Sequence, residues 1–179
     1  MALVGLSGAG KSTVGPLLAA RMGLPFVDTD RETEKLAGMP VARIFEKLGE
    51  AGFRQLEAEQ VQRTLQSPPS VISLGGGAVL NERSRQLIWE RAVVVWLHAD
   101  PDVLAARLFT ARGSEPRPLL ADADPASRLR QLLLDRAPEY STAHIRVDTT
   151  RRAPEQVASE VLAALRDWPN RGVSLSPRT

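Results

Sequence analysis

The chain has 179 residues, 43% hydrophobic and 25% charged, with 23 Lys and Arg against 21 Asp and Glu and a formal net charge of +2. That length and balance suit one soluble globular domain with a single core, and so small an excess of positive charge does not mark a nucleic-acid binder, even at a pI near 9.5. No apolar run is long enough to span a membrane, there is no cysteine for a disulfide or thiolate metal site, and the first strand begins almost at Met1 without room for a signal peptide, so a cytoplasmic protein with no membrane partner is expected.

Ala2-Leu3-Val4 reads as a short buried strand, and Gly5 to Ser12 fits the phosphate-loop pattern G-x-x-x-x-G-K-[ST]. Glycines let the backbone turn its N–H groups toward a phosphate, and the helix that follows adds the partial positive charge of its N-terminus. Lys11 would reach the β and γ phosphates, and Ser12 would offer its hydroxyl to a bridging Mg²⁺. Only Lys11, Lys35 and Lys47 are lysines, which singles out the one inside the loop. Val14, Leu17, Leu18 and Met22 continue at helical spacing. Pro16 interrupts that helix, so a kink is expected there.

Leu24 to Asp28 reads as a second strand ending in Asp28-Thr29-Asp30. Side chains two apart on a strand share a face, which would project both carboxylates into the crevice at the carboxyl ends of a parallel sheet. Asp28 could then hold Mg²⁺ while Asp30 binds or deprotonates an acceptor hydroxyl. Alternatively, one of the two caps the helix that begins near Arg31. From Glu32 to Ser67 the chain reads as helical, with breaks at Gly38-Met39-Pro40 and near Gly49 to Gly52, and Phe53, Leu56, Val61 and Leu65 form a buried stripe. Arg54 either extends over the crevice to hold an anion or is a solvated surface arginine.

Ser70 to Leu74 is a third strand ending in Gly75-Gly76-Gly77, where backbone can approach a ligand closely or simply turn. A helix over Asn81 to Arg91 and an apolar strand over Ala92 to Leu97 follow. Asp100 before Pro101 reads as a helix cap rather than a metal ligand. The helix from Pro101 gives way near Ala111 to a loop over 112–124 that carries Arg117 and suggests a lid. Asp124-Pro125 opens another helix, whose stripe of Leu129, Leu132, Leu133 and Tyr140 also holds Arg136. An arginine facing inward there needs an anion. Ile145 to Asp148 is the last strand, Thr149 to Arg152 a link, and Pro154 to Asp167 the last helix, leaving 168–179 as a polar tail expected to be disordered. His98 and His144 have no partners at catalytic or metal spacing.

Taken together, the phosphate loop, Phe26-Val27-Asp28-Thr29-Asp30, Gly52-Phe53-Arg54, Gly75-Gly76-Gly77, Arg117-Pro118-Leu119-Leu120 and Arg136-Ala137-Pro138-Glu139-Tyr140 resemble shikimate kinase, over nearly the whole chain to about Leu165. The resemblance implies a P-loop α/β/α fold with a central five-stranded parallel sheet, a single domain over 1–167, an acceptor-binding helical region at about 30–66 and a lid at about 112–124. It also implies transfer of the ATP γ-phosphoryl group to the 3-hydroxyl of shikimate by a cytoplasmic monomer. By position, Asp30, Arg54, Gly75, Gly76, Gly77 and Arg136 would bind shikimate. Gly8, Ala9, Gly10, Lys11, Ser12, Thr13, Arg117 and Arg152 would bind ATP, with Asp30, Lys11 and Arg117 catalytic and Ser12 and Asp28 serving Mg²⁺. The alternatives are a gluconate-type kinase and a nucleotide-binding regulatory module without turnover. Arg54, Arg136 and Asp30 speak against the latter, since a switch needs no acid-specific pocket.

Overall fold

β1 (Ala2–Val4) is buried along its whole length because it is the middle strand of a five-stranded sheet. β2 (Phe26–Asp28), β3 (Val71–Ser73), β4 (Val94–His98) and β5 (Ile145–Asp148) complete it in the order β2-β3-β1-β4-β5, every pairing parallel. A parallel sheet is covered by helices and buried on both faces, which is why its inner strands read as unbroken apolar runs. The computed structural model describes residues 1–110 and 124–168. Its helices are α1 (Lys11–Met22), α2 (Thr29–Ala37), α3 (Val41–Gln66), α4 (Glu82–Arg91), α5 (Pro101–Thr110), α6 (Pro125–Ser141) and α7 (Pro154–Arg166). Leu3, Leu18, Leu97, Leu129 and Val161 are fully buried between the layers, each contributing roughly 1.5–3 kcal/mol.

The helix starts follow from local chemistry. Asp100 Oδ1 accepts the Asp102 N–H at 2.9 Å and Asp124 Oδ2 the Ser127 N–H at 2.9 Å, so the two Asp-Pro pairs are caps as expected. Asn81 does the same for α4 through the Ser84 N–H at 2.9 Å. Both expected breaks are present: α2 ends at Gly38, and Gly49 (φ 67°, ψ −178°) divides α3 into two helical stretches.

α1 continues as a helix through Pro16, from Lys11 to Met22. Pro16 faces solvent, where water can satisfy the carbonyl left by the missing N–H. Two expectations need correction. Asp28 and Asp30 do not lie side by side on a strand: Asp28 ends β2 and Asp30 is already in the first turn of α2, so period-2 alternation fails at the junction. Finally, Trp168, assigned above to the tail, packs edge-on against the His144 ring at 4.8 Å. The expected lid, with Arg117, and the rest of the tail lie outside the described residues, except for the cap Asp124.

All five strands run the same way, so the segments after β1, β2, β3 and β5 meet at one edge of the sheet. Those segments carry the phosphate loop, the two aspartates, the three glycines and Thr149.

Candidate active site

Gly8 and Gly10 adopt φ of 83° and 96°, the left-handed region that glycine enters without steric cost. Gly10 is thereby the N-cap of α1, and Lys11, Ser12 and Thr13 form the helix's first turn, the end of a helix that favours an anion. The loop is pinned from behind. Thr149 Oγ1 donates to the Ala9 carbonyl at 3.2 Å, which turns the Gly10 N–H of the same planar peptide the opposite way. Arg107 Nη1 donates to the Gly8 carbonyl and to Thr149 Oγ1, each at 3.2 Å, and its Nη2 to the Thr149 carbonyl at 2.5 Å. Lys11 arches back over the loop, donating to the carbonyls of Gly5 at 2.7 Å and Leu6 at 3.1 Å.

Beside the loop, the Ser12 hydroxyl donates to Asp28 Oδ2 at 2.8 Å. Asp28 Oδ1 accepts the N–H groups of Asp30 at 3.1 Å and Arg31 at 3.5 Å. Asp28 therefore caps α2 through Oδ1 and meets Ser12 through Oδ2. A hydroxyl beside an exposed carboxylate oxygen is a hard-oxygen donor pair, which fits Mg²⁺ held jointly by protein, water and phosphate oxygens. Among the described residues no cluster of three or more His, Cys, Asp or Glu could hold a metal by itself.

The third part of the site is the glycine strip after β3. Thr29, fully buried, donates from Oγ1 to the Ser73 carbonyl at 3.2 Å and accepts the Gly75 N–H at 3.1 Å, which stitches the start of α2 to the end of β3. Two carboxylates flank Gly75, whose missing Cβ would lie 2.2 Å from Glu57 Oε1 and 2.6 Å from Asp30 Oδ1. At Gly77 a Cβ would lie 2.4 Å from Arg54 Nη1. Between them, the Gly76 carbonyl accepts from Arg136 Nη1 at 2.9 Å and from the Tyr140 hydroxyl at 2.5 Å. A Cβ on Gly76 would come within 3.5 Å of the Gly5 carbonyl. The glycine strip thus meets both arginines and comes close to Gly5 at the start of the phosphate loop, and a side chain on it would have to push these charged groups aside.

Arg54 is no solvated arginine. Its Nη1 donates to Glu57 Oε2 at 2.7 Å and its Nη2 to Glu50 Oε1 at 3.0 Å, and its Cζ lies 5.2 Å from the centre of the Phe53 ring. Burial alone would lower the Arg54 pKa, but Glu57 and Glu50 more than offset it, so the value is raised. Burial also raises the Glu57 carboxyl above its ordinary range, with Arg54 and Arg136 pulling against it. Arg152 stands apart from this cluster, ion-paired with Glu160 and donating to the Asp148 carbonyl at 3.3 Å, on the loop whose Thr149 touches Ala9.

A family model for shikimate kinase matches residues 7–166. The chain belongs to the shikimate kinase family. A shikimate kinase of Symbiobacterium thermophilum is 46% identical over 171 residues, which cover 95% of this chain and 98% of that protein. The solved structure of the shikimate kinase of Acinetobacter baumannii in complex with shikimate is similar with a TM-score of 0.88 at 35% identity, over 96% of this chain and 94% of that one. A gluconokinase of Sinorhizobium meliloti, with a TM-score of 0.62 at 24% identity over 94% of this chain and 93% of that one, shares the fold alone. Membership of the shikimate kinase family makes this a P-loop NTPase-like α/β kinase that phosphorylates a hydroxyl with ATP.

Four residues in this cluster are not among those the sequence points to. Glu57 lies four residues after Phe53 and four before Val61, so a charge on the apolar stripe could have found it, as it found Arg136. Tyr140 reads from its spacing as part of the apolar stripe alone. Arg107 and Thr149 left no local signal, because what they hold is 99 and 140 residues away.

Proposed function

We propose that this chain transfers the γ-phosphoryl group of ATP to the 3-hydroxyl of shikimate, in the pathway to chorismate and the aromatic amino acids. The observation that carries the reading is the glycine strip, with Arg54 and Arg136 converging on it from α3 and α6, Asp30 beside it, and the start of the phosphate loop close to it. Two guanidinium groups suit a carboxylate acceptor, and the Asp30 carboxylate suits its hydroxyls.

In this reading Gly8, Ala9, Gly10, Lys11, Ser12 and Thr13 hold the ATP phosphates. Arg54, Arg136 and the backbone of Gly75, Gly76 and Gly77 hold shikimate, over an acceptor region at about 30–66 of a single domain. Asp30 aligns the acceptor hydroxyl and takes its proton as the new P–O bond forms, while Lys11 steadies charge on the phosphoryl oxygens. Ser12 and Asp28 would hold Mg²⁺, which when bound neutralises phosphate charge. Arg117 and Arg152 are assigned to ATP by the family resemblance. A cytoplasmic monomer acting without nucleic acid or membrane completes the proposal; no helix among the described residues is long and apolar enough to cross a membrane.

The test is coupled ADP release with shikimate, with gluconate and without acceptor, at varied Mg²⁺. Shikimate alone is expected to give turnover. Asp30→Asn should lower it roughly 10²- to 10⁴-fold with ATP binding retained, whereas Asp28→Asn should chiefly shift the Mg²⁺ response. Rescue of Asp30→Asn by excess Mg²⁺, but not of Asp28→Asn, would exchange the two roles.

A further inference from the structure

Arg54 meets two carboxylates that are held very differently. Glu57 is buried at 3% exposure, while Glu50 is 57% exposed. Gly77 is pressed against the guanidinium, since a Cβ there would lie within 2.6 Å of Nη1, Cζ and Nη2 alike, so a ligand carboxylate must come in along the guanidinium plane. A guanidinium offers two such edges, Nη1 with Nη2 and Nε with Nη2. Each edge uses one of the two N–H groups of Nη2, and Glu50 holds Nη2 at 3.0 Å, so it contends with a ligand for one edge while Glu57 already engages Nη1.

Glu50 is also placed where release costs little. It follows Gly49, whose φ of 67° and ψ of −178° end the first helical stretch of α3, so Glu50 begins the second. A carboxylate there remains stabilised by the helix N-terminus whether or not it touches Arg54, and an exposed ion pair four residues apart contributes little by itself. The charges on the acceptor side lead to the same result. Asp30, Glu50 and Glu57 already outnumber Arg54 and Arg136 around the glycine strip, so an incoming carboxylate adds to an excess of negative charge that departure of Glu50 relieves.

We infer that Glu50 is a resident stand-in for the acceptor carboxylate: it occupies Arg54 Nη2 in the acceptor-free enzyme and is displaced when the acceptor arrives. It thereby lowers acceptor affinity and disfavours uncharged polyols, which cannot compete for Nη2. The inference rests on the proposal that the acceptor is shikimate, a carboxylate.

The experiment is titration calorimetry of shikimate into the full chain without nucleotide, for wild type, Glu50→Gln and Glu50→Ala, alongside ADP release and an ATP titration. Removing an exposed competing pair should tighten shikimate binding about two- to fivefold in both variants, with ATP affinity unchanged. The gain should shrink as salt screens the pair in wild type, a response that a merely structural role would not produce. Equal or weaker shikimate binding by the variants, with wild type turning shikimate over, would make Glu50 a brace for Arg54 and overturn the inference alone. Absence of shikimate-dependent ADP release in wild type would overturn the functional proposal and this inference with it.

Discussion

Arg136 is only 6% exposed and shares the buried side of α6 with Leu129, Leu132 and Tyr140. Truncating a buried arginine usually confuses lost binding with lost folding, but here the Tyr140 hydroxyl also donates to the Gly76 carbonyl. Burial pushes that hydroxyl up to about 12, so it keeps its proton at any working pH and keeps the carbonyl satisfied. Arg136→Ala should therefore weaken shikimate binding by on the order of 2–5 kcal/mol while leaving ATP binding nearly intact. Titration calorimetry with each ligand checks this, and equal losses would reassign Arg136 to the fold. A charge at helical spacing among leucines made Arg136 legible in the sequence. Glu57 sends the same signal on α3, but with Arg54 three residues before it the pair also reads as an ordinary surface ion pair. Only its burial beside Gly75 tells the two apart.

Elements were legible where their own periodicity extends over several residues, and least so where one element hands over to the next. Asp28-Thr29-Asp30 straddles β2 and α2, so neither the strand rule nor the helix rule covers all three residues, and only the cap geometry of Asp28 fixes where Asp30 points. A second junction carries a pH dependence. His144, just before β5, accepts the Val94 N–H through Nδ1 at 2.8 Å, which ties the start of β4 and requires Nδ1 to be unprotonated. Burial lowers the pKa of His144 below the value of about 6.5 that it has in the unfolded chain. The unfolded chain then takes up the proton first, so this contribution to stability is complete above about pH 6.5 and is lost as pH falls toward the lowered folded value. His98, lowered by burial and by Arg146 against Asp148 and Asp100, acts in the same direction. His144→Asn keeps an acceptor without a titration, and its Tm should fall less steeply than that of wild type between pH 7.5 and 5. Parallel curves would assign the acid loss to other groups.

At the scale of the whole molecule, short apolar runs alternate with helical stripes, in agreement with the parallel α/β sheet that the family resemblance implies. The order β2-β3-β1-β4-β5 was not legible, because strand neighbours are chosen by packing between segments far apart in the chain. Nor was the joining of the sheet's carboxyl edge into one body, which depends on single side chains spanning elements: Arg107 from α5 to the phosphate loop, and Thr29 from α2 to β3. The Thr29 junction has a consequence in hydrogen exchange. The Gly75 amide is bonded to a side-chain oxygen and not to a strand carbonyl, so its exchange reports local opening of the pocket floor, while the central β1 amides report global unfolding. Thr29→Val keeps the shape but leaves the buried amide unpartnered, which should lower the free energy of that opening by about 1–3 kcal/mol. By NMR, Gly75 should exchange faster in the variant, and saturating shikimate should slow it in wild type. If Gly75 exchanged in step with the β1 amides in both proteins, the floor of the pocket would open only when the whole sheet does.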